Sequence, residues 1–449
     1  MRYKRINHRG LSFIFDKDNS AFYLSPEKSG SLTDFRLERE KIKLPEESSK
    51  HQKDKKLIAV LNLENYSGCN LSCSYCFAAK KHLHPHKMPF KTAKKAIDFF
   101  VDYFKKQAVP MGELYLDFTG TGEPLLNIGL IKNMAEYILK HKRRKRIYLR
   151  FTSNGTLFDQ KIIKILKDYY KKSHRLLRFS LSFDGPAQLN DSIRHYSGGK
   201  GTADIVLKAM RDLERENILK LADNVNSTFT FDRPFLAHRL IYLYYIGCKE
   251  IIMKPYRGLD KRFCLTKQRL GNVKKEYSIL INLLLTKILS EKDFGCLYSI
   301  LNPGDLLGRF LLRVFMHSKQ ERRCLAGYLS FFVDQKGEIF LCPSFGSVNK
   351  SYLGNINNGF DAFSLEKARE NKGLFDDCQK CWAEKLCGGQ CMYDTYIRRS
   401  TKPDKLLCEL KKYLIKESAY FFAVLQLKAP KTVKTIENHL KQKQHIYFD

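Results

Sequence analysis

Cys69, Cys73 and Cys76 fall on one short loop, Cys69-Asn70-Leu71-Ser72-Cys73-Ser74-Tyr75-Cys76, with an aromatic directly before the last thiol. Three thiolates this close together suit a cluster that takes four ligands. They hold three irons of a 4Fe–4S cube and leave the fourth iron open. A tetrahedral zinc site normally recruits a fourth protein ligand and favours paired Cys-x₂₋₄-Cys spacing. A second chemical candidate is Thr119-Gly120-Thr121-Gly122-Glu123-Pro124. Glycines at a strand end let the backbone approach a ligand, and the following glutamate can take an ammonium group. By itself such a run is also an ordinary turn.

A second cysteine group lies near the C-terminus. Cys378, Cys381, Cys387 and Cys391 are preceded by Cys324 and Cys342 and followed by Cys408, with Gly337 shortly before Cys342. The Cys-x-x-Cys pair permits zinc knuckles as well as iron–sulfur ligation. Cys248 reads as a packed thiol, and Cys264 and Cys296 as thiols more often buried than ligating. His82, His84 and His86 invite a metal reading. Their polar, lysine-rich surroundings beside Pro85 favour a plain loop.

The elements that must position these residues follow a regular alternation. Apolar strand patterns cover about 57–63, 113–119, 146–152, 178–183, 224–230 and 250–254. Helical patterns cover about 92–106, 127–141, 159–171, 202–217 and 233–246. Alternation of this kind predicts right-handed βαβ units and a parallel sheet. Six strands predict a partial (β/α)6 TIM-like barrel, with its site at the C-terminal strand ends, where the cysteine loop and the Gly122-Glu123-Pro124 turn fall. The full division is a leading segment and linker at 1–56, the barrel at 57–255, a helical bridge at 256–317, a cysteine-rich domain at 318–410, and a C-terminal helix and basic tail at 411–449. Leu11–Phe15 and Ala21–Leu24, flanking Asp16-Lys17-Asp18-Asn19-Ser20, predict a hairpin.

Together the three-cysteine loop and the Gly-Glu-Pro turn resemble the radical SAM enzymes, and the later cysteines resemble their SPASM domain. The resemblance covers about residues 57 to 410. It implies that the open iron is chelated by S-adenosylmethionine, whose reductive cleavage releases a 5′-deoxyadenosyl radical. It assigns Tyr75, Gly120, Thr121, Gly122, Glu123, Asn154, Ser182 and Arg194 to the cofactor site. Glu123 would hold the methionine ammonium, and Arg194 the carboxylate, which a guanidinium can take bidentately. Thr121 stands where the family's motif has its first glycine. The same resemblance assigns Cys378, Cys381, Cys387 and Cys408 to an outer auxiliary 4Fe–4S cluster, and Cys324, Cys342 and Cys391 to an inner one lacking a fourth cysteine. Three clusters in all are implied, with an external electron donor such as flavodoxin or ferredoxin. The implied activity is hydrogen abstraction from a polypeptide side chain. Ribosomal-peptide maturases that form C–C, C–O or C–S crosslinks, such as the darobactin and cyclophane types, are favoured over sulfatase (formylglycine) maturases and quinone-cofactor maturases. Sulfatase maturases typically carry Asp directly after the cysteine of the Gly-x₄-Cys element, and here Cys342 is followed by Pro343. The leading segment resembles the clasp by which peptide-modifying relatives hold a precursor. No residue declares itself as the substrate base.

The bulk composition narrows the partners. The chain of 449 residues has a formal charge of +33 and 13 cysteines. Without an export signal, that cysteine content argues for a reducing, cytoplasmic compartment and metal ligation in place of disulfides. No apolar run approaches a membrane span. A basic surface suits an acidic leader peptide. A zinc-stabilised nucleic-acid binder is the non-enzyme alternative, but it leaves the first cysteine loop unexplained. The densest basic run, Lys142-Arg143-Arg144-Lys145-Arg146, reads as a solvated turn away from the site.

Overall fold

The computed structural model describes residues 3–24, 57–106, 111–141, 146–173, 176–320, 324–370 and 373–442. The linker expected before residue 56 and most of the basic run at 142–146 lie outside these residues. Six parallel strands form the centre: β4 (Leu57–Leu63), β5 (Met111–Asp117), β6 (Ile147–Ser153), β7 (Leu177–Ser182), β8 (Ala222–Phe229) and β9 (Ile251–Pro255), each hydrogen-bonded to the next. Along β6 the side chains alternate strictly between buried and half-buried, with Leu149 and Phe151 in the apolar layer between sheet and helices and Arg150 on the opposite, inner face of the barrel. The connecting helices bury one stripe each. In Phe90–Lys106 the stripe is Ala93, Ala96, Ile97, Phe100 and Phe104, the spacing of a single helical face. The helix Gln160–Lys172 starts where the Asp159 side chain accepts from the Ile162 amide at 2.8 Å, an ordinary N-cap.

The barrel sheet does not stop at β4. Strand β10 (Ser330–Val333) pairs with it in parallel, from Ser330 opposite Val60 to Val333 opposite Leu63. The Asn62 amide adds a bond to the Phe331 carbonyl at 2.9 Å. Beyond β10 the sheet continues antiparallel through β11 (Glu338–Phe340), β12 (Tyr352–Asn355) and β13 (Gly359–Phe360). The cysteine-rich region therefore shares one ten-stranded sheet with the barrel. The reason is visible in β4, where Ala59, Leu61 and Leu63 are fully buried. A strand of that kind needs a partner on each edge. Gly337 forms the β10–β11 turn with φ +82, where a side chain would strike Ile356 at 2.8 Å.

The leading segment has three strands, one more than the expected hairpin. β1 (Tyr3–His8) pairs with β2 (Leu11–Asp16), which pairs with β3 (Ala21–Leu24). β1 escapes a composition-based reading because Lys4, Arg5, Asn7 and His8 mask its buried residues, Tyr3 and Ile6. The sheet docks on the helix Lys405–Lys428, which also packs along the bridging helix Lys267–Leu289. Glu417, fully buried, accepts from His8 Nε2 at 3.0 Å, Arg9 Nη1 at 3.1 Å and Ser278 Oγ at 3.0 Å. Arg9 also lies 4.1 Å above the Tyr420 ring, and Phe15 meets Trp382 at 5.8 Å.

Burial alone raises the Glu417 carboxyl. The hydrogen bonds from His8 and Tyr413 and the Arg9 charge carry it below the usual range. Its contribution to stability is therefore present above the unfolded carboxyl value and is lost as pH falls through the lowered folded one. Glu417→Ala removes the acceptor shared by His8, Arg9 and Ser278 and is expected to cost the docked sheet about 2 kcal/mol. Amide exchange in Tyr3–His8 should accelerate, while exchange in β6 and β7 stays as in the parent. Unchanged protection of β1 would show that apolar packing alone holds the sheet.

Candidate functional site

The cysteine loop leaves β4 at Glu64 and crosses the C-terminal ends of the strands. Two backbone bonds pin it to a distant segment, from Ser72 N to the His195 carbonyl at 2.8 Å and from Ser74 N to the Ile193 carbonyl at 3.0 Å. This brings Arg194 beneath the loop. The buried guanidinium donates to the Tyr75 hydroxyl, and that hydroxyl donates to Asp184 Oδ2 at 2.8 Å. Asp184 Oδ1 in turn accepts from the Thr228 amide at 2.7 Å. Tyr75 and Arg194 thus belong to one relay whose third member, Asp184, the sequence reading passed over in favour of Ser182. Its signal was present in Ser182-Phe183-Asp184-Gly185, a strand end with a carboxylate.

Glu123 is nearly inaccessible. Its Oε1 accepts from Ser153 Oγ at 2.9 Å and the Leu125 amide at 3.1 Å, and its Oε2 from the Asn154 amide at 2.7 Å. Burial pushes its carboxyl up to about 7, against the pull of those donors. The glutamate therefore locks the turn to the end of β6 as well as presenting a carboxylate. Asn154 donates to Asn70 Oδ1 at 2.8 Å and lies 3.8 Å from Cys69 Sγ. Gly122 presses on the cysteine loop, because a side chain there would stand 2.1 Å from the Gly68 carbonyl oxygen. Gly120 is similarly close to Glu64, where a side-chain carbon would stand 3.1 Å from the Glu64 Cα. Thr121 donates from its hydroxyl to Glu64 Oε1 at 2.5 Å, and Lys81 meets the same oxygen at 3.0 Å. Ser182 is half-buried at the end of β7, in register with Asn226 of β8.

Cys69, Cys73 and Cys76 are all partly exposed. Desolvation raises all three thiols, Cys69 to about 12 and Cys76 to about 11. Metal ligation requires the thiolate, so a cationic core must supply the compensating charge.

Cys378, Cys381, Cys387 and Cys408 line a single pocket with Gln390 and Lys411 among its walls. Gln390 Nε2 lies 3.1 Å from Cys408 Sγ. Cys324, Cys342 and Cys391 gather around another residue that the sequence reading missed, Arg257. Its Nη1 donates to Cys391 Sγ at 3.3 Å, and Cys342 and Cys324 both act on its charge. The local signal was an arginine two residues beyond the sixth strand. Cys248 and Cys296 are buried in the hydrophobic core, and Cys264 Sγ donates to the Gly258 carbonyl at 3.2 Å. The histidines after the first loop do not converge. His82 contacts the Thr121 carbonyl at 2.7 Å, while His86 uses its backbone to hold Ser67. Among the described residues no His, Cys, Asp or Glu group closes on a point as a single metal ion requires.

A parallel sheet with a three-cysteine loop at its strand ends defines a radical SAM domain, and residues 64–229 match the sequence profile of the Radical SAM superfamily. The chain belongs to that superfamily. An uncharacterized protein of Methanocaldococcus jannaschii is 30% identical over 298 residues, 65% of this chain and 86% of that protein. The cysteine-type anaerobic sulfatase-maturating enzyme of Clostridium perfringens strain 13 is 26% identical over 339 residues, 72% of this chain and 86% of the enzyme. Native anSMEcpe with bound AdoMet superposes with a TM-score of 0.64 at 18% identity, covering 85% of this chain and 100% of that one. The same enzyme with AdoMet and the Cp18Cys peptide gives 0.64 at 19%, covering 85% and 99%. No helix among the described residues is long and apolar enough to cross a membrane.

Proposed function

We propose that this chain is a peptide maturase that modifies a side chain of a bound polypeptide, with intrapeptide crosslinking as the reaction. The observation that carries this reading is the contact of Arg257 with Cys391, 3.3 Å long. Arg257 follows β9, so the contact sets the second cysteine group against the barrel mouth, and a substrate in that mouth lies between the two thiol assemblies. Cys69, Cys73 and Cys76 would hold the cofactor-binding cluster, and Cys378, Cys381, Cys387 and Cys408 the outer auxiliary one. Cys324, Cys342 and Cys391 would hold the inner one, with Arg257 donating to its sulfur. The open pocket lined by four thiols suits a cube better than a lone zinc ion.

When bound, the reduced cluster and S-adenosylmethionine supply a radical able to take a hydrogen atom from a side chain. The chain's own residues orient that chemistry. Glu123, held by three donors, offers its remaining lone pair to the methionine ammonium. The Arg194–Tyr75–Asp184 relay fixes the loop that carries the thiols. Asn154 and Ser182 border the same strand ends. The leading sheet is proposed as the peptide clasp, and its basic β1 suits an acidic leader.

Formylglycine formation is the second reading, favoured by the sulfatase-maturating relatives and by the neighbour holding a peptide. Against it, the residue after Cys342 is Pro343, which opens the short helix Pro343–Gly346 and supplies no carboxylate. The test is anaerobic reconstitution followed by incubation with a precursor peptide from a neighbouring reading frame and, in parallel, with a sulfatase peptide. The proposal expects iron and sulfide in equal amounts, 5′-deoxyadenosine, and a precursor that loses two hydrogens without gaining a hydrazide-reactive aldehyde. An aldehyde on the sulfatase peptide would establish the second reading. Zinc without sulfide would remove both.

A further inference from the structure

The inner wall of the barrel is densely charged, and most of its charges are matched. Arg150 on β6 pairs with Asp117 on β5 at 2.8 Å, and Arg178 on β7 with Asp223 on β8 at 2.8 Å. Lys254 on β9 is different. Its amine donates to the neutral amide oxygen of Asn226 at 2.7 Å, and among the described residues it has no carboxylate within ion-pair distance. Arg257, one turn of chain further on, has Asp394 at 3.9 Å, the outer limit of an ion pair, and Cys391 beside it. Both cations are exposed, with 47% of the Arg257 side chain accessible. Yet protein surrounds them closely enough that burial, together with the charges of Arg257 and Arg150 and against the weaker pull of Asp117, pushes the Lys254 amine down to about 8. Accessible and encircled at once is the condition of a side chain lining a deep concavity. Register places that concavity next to the proposed cofactor residues, because Lys254 stands opposite Thr228 and its partner Asn226 stands opposite Ser182.

We propose that Lys254 and Arg257 form a carboxylate-binding subsite in the barrel mouth, which seats an acidic group of the polypeptide substrate beside the residue to be modified. The group is an Asp or Glu side chain or the C-terminal α-carboxylate. The proposal rests on the peptide reading above. A lysine kept near other cations without a close counter-ion is unfavourable until an anion arrives, and that anion restores its full charge. Arg257 adds a planar fork suited to a carboxylate, while Lys254 supplies a point charge. An amide of the same shape meets neither demand.

The test needs no turnover. Reconstituted protein is acetylated with an amine-reactive ester, and Lys254 is followed by peptide-resolved mass spectrometry, with the exposed Lys431 as reference. Three probes are compared at millimolar concentration: N-acetylglutamate α-amide, N-acetylglycine and the neutral N-acetylglutamine amide. Both carboxylates are expected to slow Lys254 acetylation, about fivefold where a probe stands at roughly four times its Kd, and to leave Lys431 unaffected. The stronger of the two identifies the source, side chain or chain end. In Arg257→Gln the protection should fall. Equal slowing by the neutral amide, or none by either acid, overturns the subsite. Equal protection by S-adenosylmethionine alone assigns the cations to the cofactor and overturns it as well. A protein that modifies no peptide but shows carboxylate protection loses the functional reading and keeps the subsite. A protein that modifies peptide without such protection does the reverse.

Discussion

Changing Cys69, Cys73 and Cys76 together to alanine is expected to abolish formation of 5′-deoxyadenosine while leaving the protein folded and most of its iron bound. The loop is held by backbone bonds from Ser72 and Ser74 to the 193–195 segment and by the Arg194–Tyr75 contact, none of which uses a thiol. Loss of the thiols therefore removes ligands without releasing the loop. The remaining iron should be held by the distant cysteines lining their own pocket. Anaerobic iron analysis, together with chromatographic detection of 5′-deoxyadenosine after reduction by dithionite, gives both quantities from one preparation. Cleavage that persists in the triple variant would move the reactive cluster to the C-terminal cysteines.

The second large effect belongs to Gly122. A methyl group there would lie 2.1 Å from the Gly68 carbonyl oxygen and 2.5 Å from that of Tyr66, both backbone atoms of the cysteine loop. Neither can move aside as a flexible side chain would. The Gly68 carbonyl also accepts from the Glu123 amide at 2.9 Å, so the same shift unseats the glutamate. Overpacking of this kind costs about 2 kcal/mol, and if it falls on the cofactor-binding conformation, S-adenosylmethionine affinity drops roughly thirtyfold. Thr121→Gly is the informative contrast. It restores the family's usual glycine but removes the hydroxyl bond to Glu64, to which Lys81 remains paired. Its affinity should stay within about threefold of the parent, the scale of one net hydrogen bond. Equal losses in the two variants, measured by equilibrium dialysis, would mean that the turn is held by Glu64 and not by its close approach to Gly68.

Several features were legible along the chain because they are local. The spacing Cys69-x₃-Cys73-x₂-Cys76 places three thiols on one loop whatever the remainder does. The apolar run Leu57–Leu63 reads as a strand, and the stripe from Ala93 to Phe104 reads as a helix, because each periodicity lies within its own segment. Repeated alternation of such segments sufficed for the parallel barrel, and the three-cysteine loop with the Gly122-Glu123-Pro124 turn for the superfamily. The three-stranded leading sheet was half legible. Its hairpin carries turn residues between apolar runs, whereas β1 shows only two buried side chains among charges.

Tertiary structure decided what depends on distant pairing. Nothing within Ser330–Val333 announces that it will extend the barrel by lying parallel to β4, some two hundred and seventy residues earlier. That union follows from the need of a doubly buried strand for a second edge partner. The buried glutamate at 417 says nothing of His8 and Arg9 until the helix and the sheet meet. Arg194 was legible as a cation but not as the donor to Tyr75, and Asp184 was passed over, because their relay joins three separate segments. Arg257 and Lys254 look like ordinary basic residues in a basic chain. Only the tertiary fold, which sets one against Cys391 and leaves the other without a close counter-ion among the described residues, sets them apart from the other lysines and arginines.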